Sequence, residues 1–498
     1  MDELRVLVPL TDDAGGILHQ EGPFDRSYPV LREPIADSAV SSIVDALKCR
    51  LTTGPAVRAL RMERQSRLMA LSATDGPAFL LLSNREGGFA RVGFWLDTDG
   101  ERTFVPSGYV EMVVDESSVE DDGIVSTFCH EIGHVIIRNL VRSFAHRPSP
   151  STKMHMSMAV TDYQTAFDEG FAEHLQAVAA KQIESAAPHQ MNLVEQVRGL
   201  WHSGIDTFMR VHGVRENLYV HGKAIPTRIN ECSDAYELYL DSETSVLFDR
   251  DTLKTGQQMM ACEGVIATLF YRITNDERLT GPGLDVDLKI IAAIGAMGRQ
   301  AEPMISMMEF VDRFMELFPE DRAAMADIVI AATYGATVSQ DAVKMYERAA
   351  RSGRLGNIDA FRADAQALIN GLRELRAAVT AVTAPSTESQ PRPISLWGNI
   401  GPELWLLNSD FGIARAVWEK ERSVPLALNL NTSTETELMT VPGISHSLAA
   451  AIVRLRGNLG YLRRLADLES VPGMTPDVMA KLQSMTEDAE RFGGYVRE

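Results

Sequence analysis

Apolar positions along this chain recur with two different periods, and the change between them falls early. From Ser38 to Cys49 and from Pro55 to Ser72, Val, Leu and Met return at steps of three and four, which predicts two helices. Then the period shortens. Ala78–Ser83, Phe89–Leu96 and Tyr109–Asp115 are rich in β-formers, and turn residues separate them at Asn84–Gly88 and Asp97–Gly100. Residues 1–36 are rich in Pro, Gly and Asp and hold one strand candidate, Arg5–Leu10. From about Asp122 the helical period returns and holds to about Ala378. It predicts helices at Gly123–Val141, Asp162–Ile183, Leu193–His212, Gly256–Thr274, Val286–Met297, Met304–Phe318, Arg322–Tyr334 and Asp359–Ala378. The fold class that follows is α+β, mostly helical, with a small N-terminal sheet packed on the first helix of this run. Tyr109–Val114 reads either as an edge strand that accepts an extended peptide or as an ordinary sheet strand.

The pattern lapses once. Ala381–Pro393 is Pro, Ser and Thr with almost nothing to bury, so residues 380–393 read as a linker closing a domain over residues 1–379. Residues 394–427 hold Trp397, Trp405 and Trp418 and match no pattern. Residues 428–485 repeat internally. Val441-Pro442-Gly443-Ile444-Ser445 leads into an apolar helical run, and thirty positions later Val471-Pro472-Gly473-Met474-Thr475 does the same. Each unit reads as helix, tight Pro-Gly hairpin, helix, which makes a small all-α domain.

Composition narrows the function classes. A chain of 498 residues exceeds one ordinary core, and its formal charge of −20 argues against coating nucleic acid or anionic membrane as its main task. No apolar run reaches the length of a membrane span, so no membrane partner is expected. The start, Met1-Asp2-Glu3-Leu4-Arg5, is acidic where a secretory signal is positive, and Cys49, Cys129, Cys232 and Cys262 form no C-x-x-C pair. Both point to a cytoplasmic protein.

One stretch names a chemistry. Thr127–Ile137 carries His130-Glu131-Ile132-Gly133-His134 in an apolar helical run. Histidines four apart share a helix face and can hold one cation, and Glu131 sits beside it to take a proton from a metal-bound water. Two histidines need a third ligand. The best candidate is Glu169 on the next helix, within Asp168-Glu169-Gly170-Phe171-Ala172-Glu173; Asp168 is a rival, and Glu173 is placed to orient a ligand histidine. The metal region is residues 123–183. Among donors for a developing oxyanion, His155, Tyr163, Tyr219 and His221 are candidates.

These two motifs resemble the gluzincin metallopeptidases, the group of thermolysin and many zinc aminopeptidases. The resemblance implies a zincin-like domain, a Zn2+ ion on His130, His134 and Glu169, Glu131 as general base, Glu173 behind a ligand histidine, and a protein or peptide substrate. It departs at Asp168, where the aminopeptidases have Asn, and in the long gap between His134 and Glu169. Leu428–Met485 resembles the paired helix-hairpin-helix module of bacterial competence DNA receptors. That implies contacts to DNA phosphates around Gly443, Ser445, Gly473 and Thr475. The family's second glycine is replaced by Ser445 and Thr475, and Arg454, Arg456, Arg463, Arg464 and Lys481 are balanced by nearby acids, so any DNA binding is expected to be weak. The expectation is a zinc-dependent peptidase positioned by a helix-hairpin-helix module. Its rival is a DNA-binding or scaffold protein whose zincin domain is inactive or structural.

Overall fold

The computed structural model describes residues 3–35, 40–70, 76–83, 88–114, 122–141, 157–158, 160–181, 210–223, 248–280, 285–300, 305–381, 394–406, 428–433, 435–439 and 441–485. Six strands form the N-terminal sheet: β1 (Leu4–Pro9), β2 (His19–Gly22), β3 (Arg26–Arg32), β4 (Ala78–Ser83), β5 (Gly88–Thr98) and β6 (Glu101–Val113). Their order is β1-β4-β6-β5-β3-β2, and β1 also pairs with β3. The extra pairing closes five strands into a small barrel, with β2 hung on β3. Closure explains why the strands carry apolar residues on both faces. Phe79, Leu81, Phe94, Tyr109, Leu7 and Leu31 fill the interior, while Ala78, Leu80, Val110 and Met112 turn outward onto helices.

Two expectations are corrected here. Tyr109–Val113 lies on β6, flanked by β4 and β5, so of its two readings the ordinary sheet strand holds and the edge strand does not. The strands β2 and β3 escape the period test because Arg26, Ser27 and the residues of β2 are polar or half-exposed.

Helices α1 (Ser41–Leu51) and α2 (Ala56–Met69) follow β3, and α3 (Asp122–Leu140) and α4 (Tyr163–Lys181) follow the sheet. Helix α3 is buried almost all round, through Phe128, Cys129, Ile132, Val135, Ile136 and Ile137. Glycines bring neighbours onto it. A Cβ on Gly108 of β6 would stand 2.8 Å from Val135, and one on Gly88 of β5 would stand 3.0 Å from the Glu131 carboxylate. The predicted Gly256–Thr274 helix is two, α5 (Gly256–Met260) and α6 (Glu263–Asn275), broken at Ala261-Cys262. Then come α7 (Val286–Gly298), α8 (Met307–Leu317), α9 (Arg322–Ala332), α10 (Gln340–Arg354) and α11 (Ile358–Thr380), of which α10 lies where no helix was predicted. A short pair, β7 (His221–Lys223) and β8 (Phe248–Leu253), lies between α4 and α5. The predicted helix Leu193–His212 falls outside the described residues except for 210–212, and so does the linker apart from its first positions. No helix among the described residues is long and apolar enough to cross a membrane.

Beyond the linker the chain returns to the main body. Leu396, Trp397 and Ile400 join the main core, and Trp397 Nε1 donates to Asp312 of α8 at 3.0 Å. Residues 401–406 then run into β9 (Trp405–Leu406), which pairs with β10 (Leu428–Asn429). The repeat follows as α12 (Glu435–Leu438), α13 (His446–Leu459), a 3-10 turn at Leu465–Ser470, and α14 (Pro476–Met485). Gly443 and Gly473 have φ of 97° and 89°, the left-handed backbone that makes each Pro-Gly hairpin need glycine. The two units share one core through Leu438, Val441, Leu448, Ile452, Val471 and Leu482.

Glu403 anchors this return. Its carboxyl is fully buried, accepts a hydrogen bond from Trp405 Nε1 at 2.9 Å, and lies near Asp162, which caps α4 by accepting from Thr165 N at 2.8 Å. Burial, with the Asp162 charge added, holds the Glu403 carboxyl well above the usual carboxylate range. An acid raised in the folded state keeps its proton there after the unfolded chain has lost it. The stability it contributes is therefore complete at low pH and is lost as pH rises from the ordinary glutamate value towards the raised one. Glu403→Gln mimics the protonated form. It should match the wild type near about pH 4 and be more stable at neutral pH, with a flatter pH profile in urea unfolding. A neutral-pH loss of stability in this variant would contradict the buried, protonated state.

Candidate metal centre

The sequence brings α3 and α4 together by removing side chains where they cross. A Cβ on Gly133 would stand 2.7 Å from the Ala172 Cα, so only glycine lets the helices approach this closely. On the far side of α4, a Cβ on Gly170 would stand 2.6 Å from the Glu263 carbonyl oxygen of α6. Helix α4 is thus clamped between α3 and α6. Phe167 and Phe171 pack on Phe270 of α6 with ring centroids 5.5 and 5.1 Å apart, and Phe310 of α8 closes the cluster at 4.8 Å from Phe270. Each such pair adds about 0.5–1.5 kcal/mol beyond its burial, which is what holds the charged face of α4 in place.

That face meets the motif helix at one point. His130 Nε2 and His134 Nε2 are 3.3 Å apart, and Glu169 Oε2 lies 3.5 Å from the first and 3.4 Å from the second. Among the described residues these three form the group whose donor atoms converge closely enough for a metal ion. Tetrahedral zinc with bonds of 2.0–2.1 Å would space its ligand atoms by about 3.3–3.4 Å, so the triangle has the dimensions of three zinc ligands with a fourth position left over. The donor set of two imidazoles and a carboxylate also suits zinc.

The protonation pattern agrees with that fit. His134 Nδ1 is 2.8 Å from Asp168 Oδ1. A carboxylate only accepts, so Nδ1–H must donate and the neutral ring turns a lone pair out at Nε2. With both rings neutral and their lone pairs on Nε2, three lone pairs would converge here, which is unfavourable without a proton or a cation among them. Burial alone would pull the His134 imidazolium down, but the Asp168 and Glu169 charges outweigh it and raise His134 well above the ordinary histidine range. The site demands positive charge, and a divalent ion supplies it better than a proton.

Asp168 therefore takes the supporting role that the sequence assigned to Glu173. Asp168 is not a rival ligand in this arrangement; its carboxylate orients His134 from behind. Glu173, one turn further on, is buried and accepts a hydrogen bond from the Ser157 hydroxyl, with Arg210 Nε at 3.5 Å. It holds the Ser157 segment against α4 and is not bonded to either histidine. The spacing could not separate the two acids, because both lie within a turn of Glu169. Glu131 is buried beside Gly88 at the start of β5. His174 is fully buried, donates from Nδ1 to Phe171 O at 2.6 Å and stacks on Phe270, and burial pulls it down to about 4.

The oxyanion candidates fare differently. The Tyr163 hydroxyl donates to Gly401 O at 3.3 Å, so it serves the returning chain. The Tyr219 ring is buried under Gly213 and Gly264, and His221 lies on β7 with Tyr346 at 6.0 Å. His155 lies outside the described residues.

In the C-terminal module, the residues standing where a second glycine was expected are helix caps. Ser445 Oγ accepts from Leu448 N and Thr475 Oγ1 from Val478 N, each at 3.3 Å. Arg456 is spent internally, donating to Leu430 O and Ser433 O at 2.8 and 2.9 Å. Arg464 pairs with Asp467 at 3.3 Å, which leaves Arg454, Arg463 and Lys481 as the other cations of the module among the described residues.

Comparison with known proteins bears on this half of the chain. Residues 427–485 match the helix-hairpin-helix motif family. Over 47 residues, the chain is 45% identical to the endonuclease/exonuclease/phosphatase family domain-containing protein 1 of human, mouse and zebrafish. That match spans 9% of this chain and 8% of each relative. No solved structure matches. The expectation of a metallopeptidase is corrected by these matches: the curated relatives carry the name of a nuclease and phosphatase domain, and none of the comparisons supports a gluzincin domain or a zincin fold.

The geometry separates the two acids by experiment. Asp168→Ala should weaken zinc binding about 10–100-fold in a chelator competition, because His134 loses the partner that fixes its ring. Glu173→Gln should leave that affinity within about threefold while lowering thermal stability. The opposite ranking would return the orienting role to Glu173.

Proposed function

We propose that this chain is a metal-dependent hydrolase whose active water is held at His130, His134 and Glu169, positioned on nucleic acid by its C-terminal helix-hairpin-helix module. One observation carries the first half: three donor atoms 3.3–3.5 Å apart in a buried space, with Asp168 setting the tautomer of one of them. Zinc is the ion that the donor set favours. When bound, such an ion lowers the pKa of a coordinated water towards neutrality. The chain's own residues do the rest. Asp168 keeps His134 aimed, the Gly133–Ala172 crossing fixes Glu169 against both histidines, and Glu131, beside the first ligand in sequence, is the general base that takes a proton from water and returns it to the leaving group.

The second half rests on the family match and on the two hairpins. Helix N-termini at His446 and Pro476 follow the positive-φ glycines, so the backbone N–H groups at these turns are the candidate phosphate donors. Ser445 and Thr475 already use one N–H of each helix, and the chain is acidic overall, so binding is weak and falls with salt. What the relatives' domain is named for suggests a substrate that carries phosphate or travels with nucleic acid.

Metal analysis of the purified full chain tests the centre directly. One zinc per chain is expected, lost in His130→Ala and in Glu169→Ala; a well-folded protein without metal would end the proposal. Glu131→Gln should keep the zinc and lose hydrolysis by about 10²-fold or more across nucleic acid, phosphomonoester and carboxylic ester probes. Fluorescence anisotropy with duplex DNA should show binding that weakens steeply between low and physiological salt, and further in Arg454→Ala with Lys481→Ala.

A further inference from the structure

Helix α3 meets the sheet along one row of side chains. Thr127, Glu131, Val135 and Asn139 stand four apart and so share a face of the helix. The sheet meets that row with glycines. A Cβ on Gly108 of β6 would stand 2.8 Å from Val135 and 3.6 Å from Asn139 Oδ1. One on Gly88 of β5 would stand 3.0 Å from Glu131 Oε1 and Thr127 Cγ2, and 3.1 Å from Glu131 Cγ. We propose that Gly88 is a positioning residue, whose missing side chain leaves the seat against β5 in which the Glu131 carboxylate is held clear of the three ligand atoms. The inference rests on the reading of Glu131 as the general base.

Neither glycine is required by its own backbone. Both lie inside strands, and neither has the positive φ that favours glycine. Alanine could adopt either conformation, and glycine weakens a strand, so what these positions need is space. The space cannot be regained by retreat. Gly88 pairs with Met112 of β6, and Met112 pairs in turn with Leu82 of β4. On the helix side, Asn139 Nδ2 donates to Ser66 Oγ of α2 at 3.0 Å, and Phe128, Ile132 and Ile136 are buried on the other faces of α3. A side chain added at position 88 therefore presses on the Glu131 carboxylate and the Thr127 methyl.

What the seat does follows from the difference between a ligand and a base. Among the described residues, the donor atoms that converge for a metal ion belong to His130, His134 and Glu169. Glu131 is outside that group although it follows His130 directly in the chain. A carboxylate on the ion would fill the position that a water needs, whereas a base acts on that water from hydrogen-bond reach. Glu131 is buried, so its carboxylate is confined to the room the surrounding backbone allows. The wall on the sheet side is Gly88, and its lack of a Cβ sets how far the carboxylate leans away from the histidines.

Urea unfolding of the full chain reads the contact without any chemistry. Gly88→Ala should lower the midpoint, and should lower it less in a Glu131→Ala background, where the added methyl has room. Equal shifts in the two backgrounds overturn the seat. The second arm uses whichever of the nucleic acid, phosphomonoester and carboxylic ester probes the wild type hydrolyses. Gly88→Ala should lower kcat about tenfold, with KM and zinc content within about twofold of wild type. Adding Gly88→Ala to Glu131→Gln should cost nothing further, because the base is already gone. Gly108→Ala, which presses on Val135 of the same row, should lower stability and leave kcat within about threefold. An unchanged kcat in zinc-loaded Gly88→Ala overturns the proposal and leaves Glu131 as the base. An equal loss of kcat in Gly108→Ala overturns it too, since any shift of α3 would then suffice. A wild type that holds no zinc, or hydrolyses none of the probes, fails the reading of the centre and takes the proposal with it.

Discussion

Three donor atoms held 3.3–3.5 Å apart, Nε2 of His130, Nε2 of His134 and Oε2 of Glu169, are the constraint on which this structure turns. Such an arrangement needs positive charge within it, on a bound cation or on His134, and the surrounding helices must hold the three groups in place. They do so by contact between backbones. Gly133 lets α3 touch Ala172, Gly170 lets α4 touch α6, and the phenylalanines on either side leave α4 no freedom to retreat. A methyl group at either glycine would act like a wedge, moving Glu169 away from the histidines by more than a metal–ligand bond tolerates. The glycine within the His-Glu-x-x-His stretch thus has a purpose separate from its neighbours' chemistry.

Much of this centre was legible because its residues are short-range and periodic. His130, Glu131 and His134 sit on one helix, and Glu169 was found as the acid of a second motif at helical spacing. What spacing could not give is which acid stands behind which histidine. Asp168 and Glu173 flank Glu169 on the same helix, and only the crossing at Gly133 decides that Asp168 meets His134 while Glu173 faces Ser157. The same limit shows in the sheet. Ala78–Ser83 was read to the residue, since four of its six positions are buried. The polar residues of β2 and β3 hid their pairing, and the β1–β3 contact that closes the barrel is long-range and leaves no local sign. Helix α10 was missed although it carries a stripe, Ala342, Val343, Tyr346 and Ala349, because charged and polar residues fill most of its other positions.

The segment after the linker changes how the two halves relate. Composition sets residues 428–485 apart, yet Trp397 and Ile400 lie in the main core, and Gln257 and Asn431 both donate to Pro402 O, from the metal-bearing half and from the module. Gly401 packs so closely on Tyr461 that a Cβ there would stand 2.1 Å away. The module is therefore joined through a packed strap that ends against Asp162 and Tyr163, at the start of the helix carrying Glu169. The strap thus meets the first turn of α4, about two turns before Glu169. A flexible tether would leave the module free to reorient; a packed strap fixes it against the body that carries the candidate metal centre.

The chemistry of the centre and the bond it acts on are separate questions, which is why the sequence motif overreached. A metal-held water and a carboxylate base attack any electrophile that the cleft presents, whether carbonyl or phosphoryl carries the leaving group. Under the proposed function, His130, Glu131, His134 and Glu169 would define the nucleophile, and they say nothing about the walls that select its target. The gluzincin resemblance was drawn from the nucleophile's side of the reaction alone. The substrate side was not read from it, and under the proposed function it falls to the helix-hairpin-helix module at residues 427–485. Selecting a bond is a matter of what the fold places opposite the water.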